Sequence, residues 1–266
     1  MTRPCSTWAC PWRPPPADWP QPTRPVPRSP RALKPSELIE YFFPSRCVGC
    51  RCAVRRRALC RWCYEALPWL DEGQRVSSLA TDPAAILALL SFEGDARGWI
   101  HRFKYPAPGL MGLDPGALGV VRLLAGRLAQ AAEIRASDWI VPVPLHPRRF
   151  RERAFNPSAV LAREIARPGE RPVRARWLCR VRETLPQAGL DAPSRRRNVA
   201  GAFACRPRPG PLPWRVWLVD DVTTTGATLA AAAAALRAEG VGEVRGLCLA
   251  RTPPPGHEAL GESRTL

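Results

Sequence analysis

Lysine is nearly absent from this chain. Of its 40 basic residues only Lys34 and Lys104 are lysines, and the rest are arginine. Histidine is scarce too, with three in 266 residues, which leaves little material for a serine–histidine triad or a histidine-based catalytic metal. There is no G-x-S-x-G turn to carry a nucleophilic serine. The nearest glycine cluster, Gly240-Val-Gly242, follows a predicted helix and precedes a predicted strand, the wrong order for a dinucleotide site. A hydrolase or a dehydrogenase is therefore a poor reading. No apolar run approaches the ~18 residues of a membrane span. The N-terminus has no apolar stretch of the kind that makes a secretory signal. The expected compartment is the cytoplasm, where ten cysteines point to a metal site or free thiols rather than disulfides.

What is present is basic and rich in Arg, Ala, Pro and Trp. The net charge of +17 favours anionic partners, phosphates or nucleic acid. The same composition has the look of a GC-rich coding bias, which discounts the charge as a functional signal. The chain is long enough for one good core and a small appendage.

The most informative stretch is 214–234, WRVWLVDDVTTTGATLAAAAA. Val216, Trp217, Leu218 and Val219 form a short apolar run of β-formers, which predicts a buried strand. Asp220 and Asp221 follow, then Thr223, Thr224, Thr225 and Gly226, then an Ala-rich segment of high helix propensity that stops at Gly240. A small hydroxyl-rich turn entering a helix N-terminus presents unpaired N–H groups and the positive end of the helix dipole, a ready site for a phosphate. The carboxylates repel that phosphate and suit the hydroxyls of a sugar or a Mg²⁺ ion beside it. Strand, acid pair, turn and helix together resemble the phosphoribosyl diphosphate (PRPP) motif of type I phosphoribosyltransferases. The resemblance implies that Asp220 and Asp221 face the ribose hydroxyls as the catalytic pair. It also implies that Thr223, Thr224, Thr225, Gly226, Ala227 and Thr228 cradle the 5′-phosphate.

A second strong signal is Cys47-Val-Gly-Cys50 followed by Cys60-Arg-Trp-Cys63. Two such knuckles deliver four thiolates to a closed tetrahedral site, as structural Zn²⁺ requires. The ion's binding energy would fold a module too small for a core of its own. Cys52 is a fifth thiol with no assigned role. Arg51, Arg55, Arg56 and Arg57 make the knuckle basic, a surface for nucleic acid or simply a solvated one.

Along the chain, residues 1–35 are rich in Pro, Arg and Trp and are expected to be disordered; a start codon assigned too early is the other reading of that stretch. Residues 36–70 form the zinc module, 71–81 a linker, and 82–251 the main domain, with 252–266 a disordered tail. The main domain is expected to open with a strand at 84–92. A helix from Gly98 runs towards Tyr105 and carries His101, read as a surface residue, and Lys104. An ammonium kept in an arginine-biased chain marks Lys104 as a substrate-binding candidate. A Pro/Gly loop over 106–116, a helix over 118–134 and a strand over 139–143 follow. Next comes a basic loop gathering Arg148, Arg149, Arg151 and Arg153, suited to a second phosphate group. His146 there is read as a capping or surface residue, and Asn156-Pro157 as the start of the following helix. A strand over 174–181 precedes a polar stretch without clear periodicity, the kind of long loop that often serves as a lid, and a last strand spans 244–250. Alternating strands and helices predict an α/β fold, a parallel sheet flanked by helices, with the phosphate turn at the carboxyl ends of the strands.

The ordered combination of a double CxxC knuckle, Phe103-Lys104-Tyr105, PVPLHPRRFRERAFN, RETLPQ with RRRNVAGAF, and LVDDVTTTGAT resembles the ComF/GntX family. The resemblance covers about residues 38–251. It implies a zinc-binding module joined to a type I phosphoribosyltransferase-like domain that takes PRPP with Mg²⁺, with Arg148 to Arg153 on the pyrophosphate side. It further implies a role in DNA uptake during natural transformation alongside other competence proteins, and an enzymatic turnover inferred from the fold alone; the basic knuckle and the arginine loops separately suggest single-stranded DNA as a partner. The alternative is a phosphoribosyltransferase of nucleobase salvage. Two positions depart from the family's usual Arg-Gly-Phe-Asn-Gln: Ala154 stands in place of the glycine, which matters if that residue needs a positive φ, and Pro157 in place of the glutamine.

Overall fold

The computed structural model describes residues 45–54, 57–79, 82–105, 114–184 and 191–253. The readings made for 1–35 and for most of 252–266 lie outside these residues.

Two short strands, β1 (Ser45–Arg46) and β2 (Ala53–Val54), pair antiparallel around the first knuckle. Helix α1 (Arg61–Glu65) starts at Cys60, whose sulfur accepts the Cys63 N–H. Helix α2 (Glu72–Arg75) and strand β3 (Val76–Leu79) follow. This is a correction: the stretch read as a linker supplies an edge strand, antiparallel to β4 (Asp82–Ser91). Helix α3 (Gly94–Lys104) buries Ala96, Trp99, Ile100 and Phe103 at one-turn spacing. Helix α4 (Pro115–Ala131) begins at Asp114, which accepts the N–H groups of Gly116 and Ala117, so it starts inside the stretch expected to be loop.

Strand β5 (Trp139–Pro142) leads to α5 (Pro147–Arg153) and α6 (Pro157–Ala166). The basic loop expected here is therefore a two-turn helix. His146 caps it, its Nδ1 accepting the Arg148 N–H at 3.4 Å, and Asn156 caps α6 through Ser158 N–H at 3.0 Å. Strand β6 (Leu178–Arg180) does not join the main sheet. It pairs antiparallel with β7 (Phe203–Cys205) in a separate ribbon, with α7 (Ala192–Val199) between them in sequence. Strand β8 (Arg215–Thr223), α8 (Ala227–Ala238) and β9 (Glu243–Arg251) complete the described chain.

The central sheet has the order β3-β4-β9-β8-β5, parallel from β4 to β5 with β3 the antiparallel edge. The fold is thus mixed α/β with a parallel-rich sheet between helices. Along β8 the side chains alternate between faces. Trp217 and Val219 enter the core formed with α3, α4 and α6, while Val216 and Leu218 enter the one covered by α8. The knuckle segment shares the first of these cores through Cys47, Val54, Leu59 and Leu67. Gly119 of α4 permits that approach, since a Cβ there would stand 2.8 Å from Ala58 Cβ. At the amino end of β8, Trp217 Nε1 donates to buried Asp138 at 2.9 Å.

Candidate functional site

Strand β8 sits between two parallel neighbours and ends in the acid pair, at the carboxyl edge of the sheet where open α/β folds hold their ligands. Asp221 is buried, with 7% of its surface exposed. Its Oδ1 accepts the Val222 N–H at 2.7 Å and faces the Lys104 ammonium at 3.0 Å. Asp220 Oδ1 accepts the Ser158 hydroxyl and the Asp221 N–H, both at 2.9 Å. Burial, and then the charge of Asp221, push the Asp220 carboxyl up to about 7. The chain leaves β8 through Thr223, which is buried, Thr224, which is exposed, and Thr225. It enters α8 at Gly226, whose φ of 72° lies in the left-handed region that glycine alone adopts without cost. No side chain caps α8, and the Thr225 hydroxyl is buried with no hydrogen-bond partner among the described residues.

Lys104, Arg149, Arg153, Asp220, Asp221 and Thr228 share one cleft of about 180 Å³. Arg153 also stacks over the Tyr105 ring at 4.4 Å and donates to its hydroxyl at 2.5 Å. Arg148 points elsewhere, between Glu152 and Glu183 at 3.4 and 3.5 Å, and Arg151 is exposed; neither lines the cleft. Thr223, Thr224, Thr225, Gly226 and Ala227 build the turn beside it. His101 is a surface residue against Tyr105, ring centroids 4.8 Å apart.

Two cleft residues were missed from sequence. Ser158 is 3% exposed and braces Asp220. Its place two positions after Asn156 is a usable signal, because a capped helix beside a strand end turns its first-turn side chains towards that end. Arg180 of β6 also lines the cleft. Burial, and then the positive charge of Arg149, lower its pKa, while Asp220 opposes them. Its side chain hydrogen-bonds Thr184, and its Nε is buried without a partner among the described residues. Nothing in the local sequence brings Arg180 here; the separate β6–β7 ribbon does.

In the knuckle segment, the sulfurs of Cys47, Cys50, Cys60 and Cys63 lie within 4.8 Å of one another. Four ligands at ~2.3 Å around a tetrahedral zinc would have sulfurs about 3.8 Å apart, and Cys50 and Cys60 are 3.7 Å apart. The Cys60 N–H donates to Cys47 Sγ at 3.3 Å, the backbone support that thiolates need. The cluster could hold a metal and is consistent with structural zinc. Cys52 is exposed and is not one of the four, but its thiol hydrogen-bonds with Cys50 and Cys60 beside the cluster.

No protein-family model matches the chain. The DNA utilization protein YhgH of Salmonella typhimurium (strain LT2) is 31% identical over 221 residues, covering 77% of this chain and 90% of that protein. This chain belongs to the ComF family. Competence protein F of Haemophilus influenzae is 33% identical over 153 residues, 57% of this chain and 66% of that protein. The YhgH of Escherichia coli O157:H7 is 32% identical over 186 residues, 70% and 74% of the two chains. These relatives are named for competence and for DNA utilization. Among solved structures, TT1426 from Thermus thermophilus aligns over 51% of this chain and 84% of its own, at 19% identity and a TM-score of 0.29, too low to bear on the fold. No helix among the described residues is long and apolar enough to cross a membrane.

Proposed function

We propose that the cleft binds PRPP or a related ribose 5-phosphate, and that the protein uses this site in handling incoming DNA during natural transformation. The observation that carries the reading is the junction of β8 and α8. An acid pair at the carboxyl edge of a parallel sheet runs into a glycine-hinged, uncapped helix N-terminus, with Arg149, Arg153 and Arg180 across the cleft. The turn offers N–H groups and threonine hydroxyls to a phosphate, the carboxylates accept from ribose hydroxyls, and the arginines suit a diphosphate. The domain is read as phosphoribosyltransferase-like, and the ion of the cysteine cluster as zinc. Mg²⁺ enters with the diphosphate of the ligand.

The test is thermal unfolding of the zinc-loaded protein with PRPP and Mg²⁺, beside Asp221→Asn. At ~100 times its Kd a ligand adds about 2.7 kcal/mol, which at ~2–4 °C per kcal/mol for a domain of this size gives a shift of about 5–10 °C. The shift is expected in the wild type and absent in the variant. Equal shifts in both refute the carboxylate assignment, and none in either refutes the sugar-phosphate reading.

A second reading, a single-stranded DNA surface on the knuckle, is favoured by Trp62. It is 75% exposed on α1, in a segment that also carries Arg46, Arg51 and Arg57. Aromatic faces stack on bases while arginines neutralise the backbone. Trp62→Ala is expected to weaken oligonucleotide binding, which in the wild type falls steeply with salt. Binding indifferent to both salt and Trp62 removes this reading.

A further inference from the structure

An acid pair of this kind suits either sugar hydroxyls or a divalent ion. We propose that Lys104 is the resident cation of the pair, filling the role a divalent metal would otherwise have, so that the sugar-phosphate site holds its ligand with no metal on Asp220 or Asp221. This rests on the reading of the cleft given above and deepens it.

Three observations converge. First, Lys104 Nζ stands 3.0 Å from Asp221 Oδ1, with the two side chains 21% and 10% exposed. The lysine is delivered by the last turn of α3, a helix fixed in the core by Ile100 and Phe103, at 1% and 0% exposure. It is a built contact rather than a chance surface pairing. Second, one oxygen of each carboxylate is already committed: Oδ1 of Asp221 to Lys104 and the Val222 N–H, and Oδ1 of Asp220 to Ser158 and the Asp221 N–H. Magnesium demands near-octahedral oxygen ligation and would have to sit within a few ångströms of the ammonium to reach Asp221. With Arg149, Arg153 and Arg180 on the same cleft, its four cationic side chains outnumber the acids and repel an incoming cation. Third, this position is a lysine in a chain that writes nearly every other cation as arginine. A compact ammonium can sit at a single carboxylate oxygen where a planar, forked guanidinium needs more room.

The experiment uses the zinc-loaded full chain and has two arms. In the first, Mn²⁺ alone is titrated and followed by its EPR signal, with no phosphate compound present. Wild type is expected to bind no Mn²⁺ at the pair, Lys104→Met to gain one site, and Lys104→Met/Asp221→Asn to lose it again. A wild-type site abolished by Asp221→Asn overturns the proposal, as does a folded Lys104→Met protein that binds no Mn²⁺. In the second arm, ribose 5-phosphate, which lacks the diphosphate that would recruit a metal on its own, is added in EDTA or in Mg²⁺. Equal thermal shifts in the two support the proposal, and a shift that needs Mg²⁺ overturns it. If ribose 5-phosphate and PRPP shift nothing, the sugar-phosphate reading falls, while the wild-type Mn²⁺ titration still decides the role of Lys104.

Discussion

Replacing Ala154 with glycine should stabilise the protein. Ala154 ends α5 with φ 62° and ψ −8°, its N–H donating to the Phe150 carbonyl at 2.8 Å. The chain needs this turn to pass from α5, which carries Arg149 and Arg153, to the capped start of α6, which carries Ser158. An L-residue in the left-handed region sets its Cβ against the following carbonyl, at about 1–2 kcal/mol. Ala154 is exposed, so its methyl returns little packing. Glycine relieves the clash but widens the unfolded ensemble, which offsets about 0.4–1 kcal/mol. The net expectation for Ala154→Gly is a gain of about 0.5–1 kcal/mol, a rise in melting temperature of about 1–4 °C. Ala154→Val should go the other way, because branching at Cβ worsens the same clash. Urea unfolding of the three zinc-loaded proteins gives the order directly, with an unchanged m-value showing that the denatured state has not altered in compactness. A glycine variant less stable than the parent would refute this account of the turn.

Buried polar groups supply two more tests. Trp217→Phe removes the indole donor from Asp138, where both residues are at most 3% exposed; the expected loss is about 1–3 kcal/mol in urea, and a change under ~0.5 kcal/mol would contradict the buried bond, being no more than an ordinary surface substitution gives. Asp220 holds its proton up to about pH 7 in the folded state but only to about pH 4 when unfolded. The folded state therefore binds the extra proton between these values, and this group's contribution to stability falls as pH rises through them and is level above. Asp220→Asn should remove that slope from urea midpoints measured from pH 4 to 8, and an unchanged slope would show that the carboxyl is not perturbed.

The parts legible in sequence are those whose signal is local. The apolar run before Asp220 needs only its β-forming residues. The turn at Gly226 needs only a glycine among small hydroxyls before a helix former, and the cysteine cluster needs only its spacing. The parts missed are those that one segment supplies to another. Val76–Leu79 is too short and polar to announce a strand, and becomes one because β4 offers an unpaired edge. The basic loop reads as loop because its prolines and arginines hide the two turns that His146 and Ala154 close at either end.

The amino-acid sequence alone determined that this chain would build an acid pair on a strand, a threonine-rich turn with a glycine after it and four cysteines in a cluster, because each depends on residues that are near neighbours or regularly spaced. It also marked Lys104 as anomalous without saying why. Only the tertiary structure decided that Lys104 meets Asp221, that Ser158 braces Asp220, and that Arg180 joins Arg149 and Arg153 while Arg148 and Arg151 do not. Those contacts join elements far apart in the chain, and it is the order and direction of strands in the sheet, together with the separate β6–β7 ribbon, that bring them to one edge.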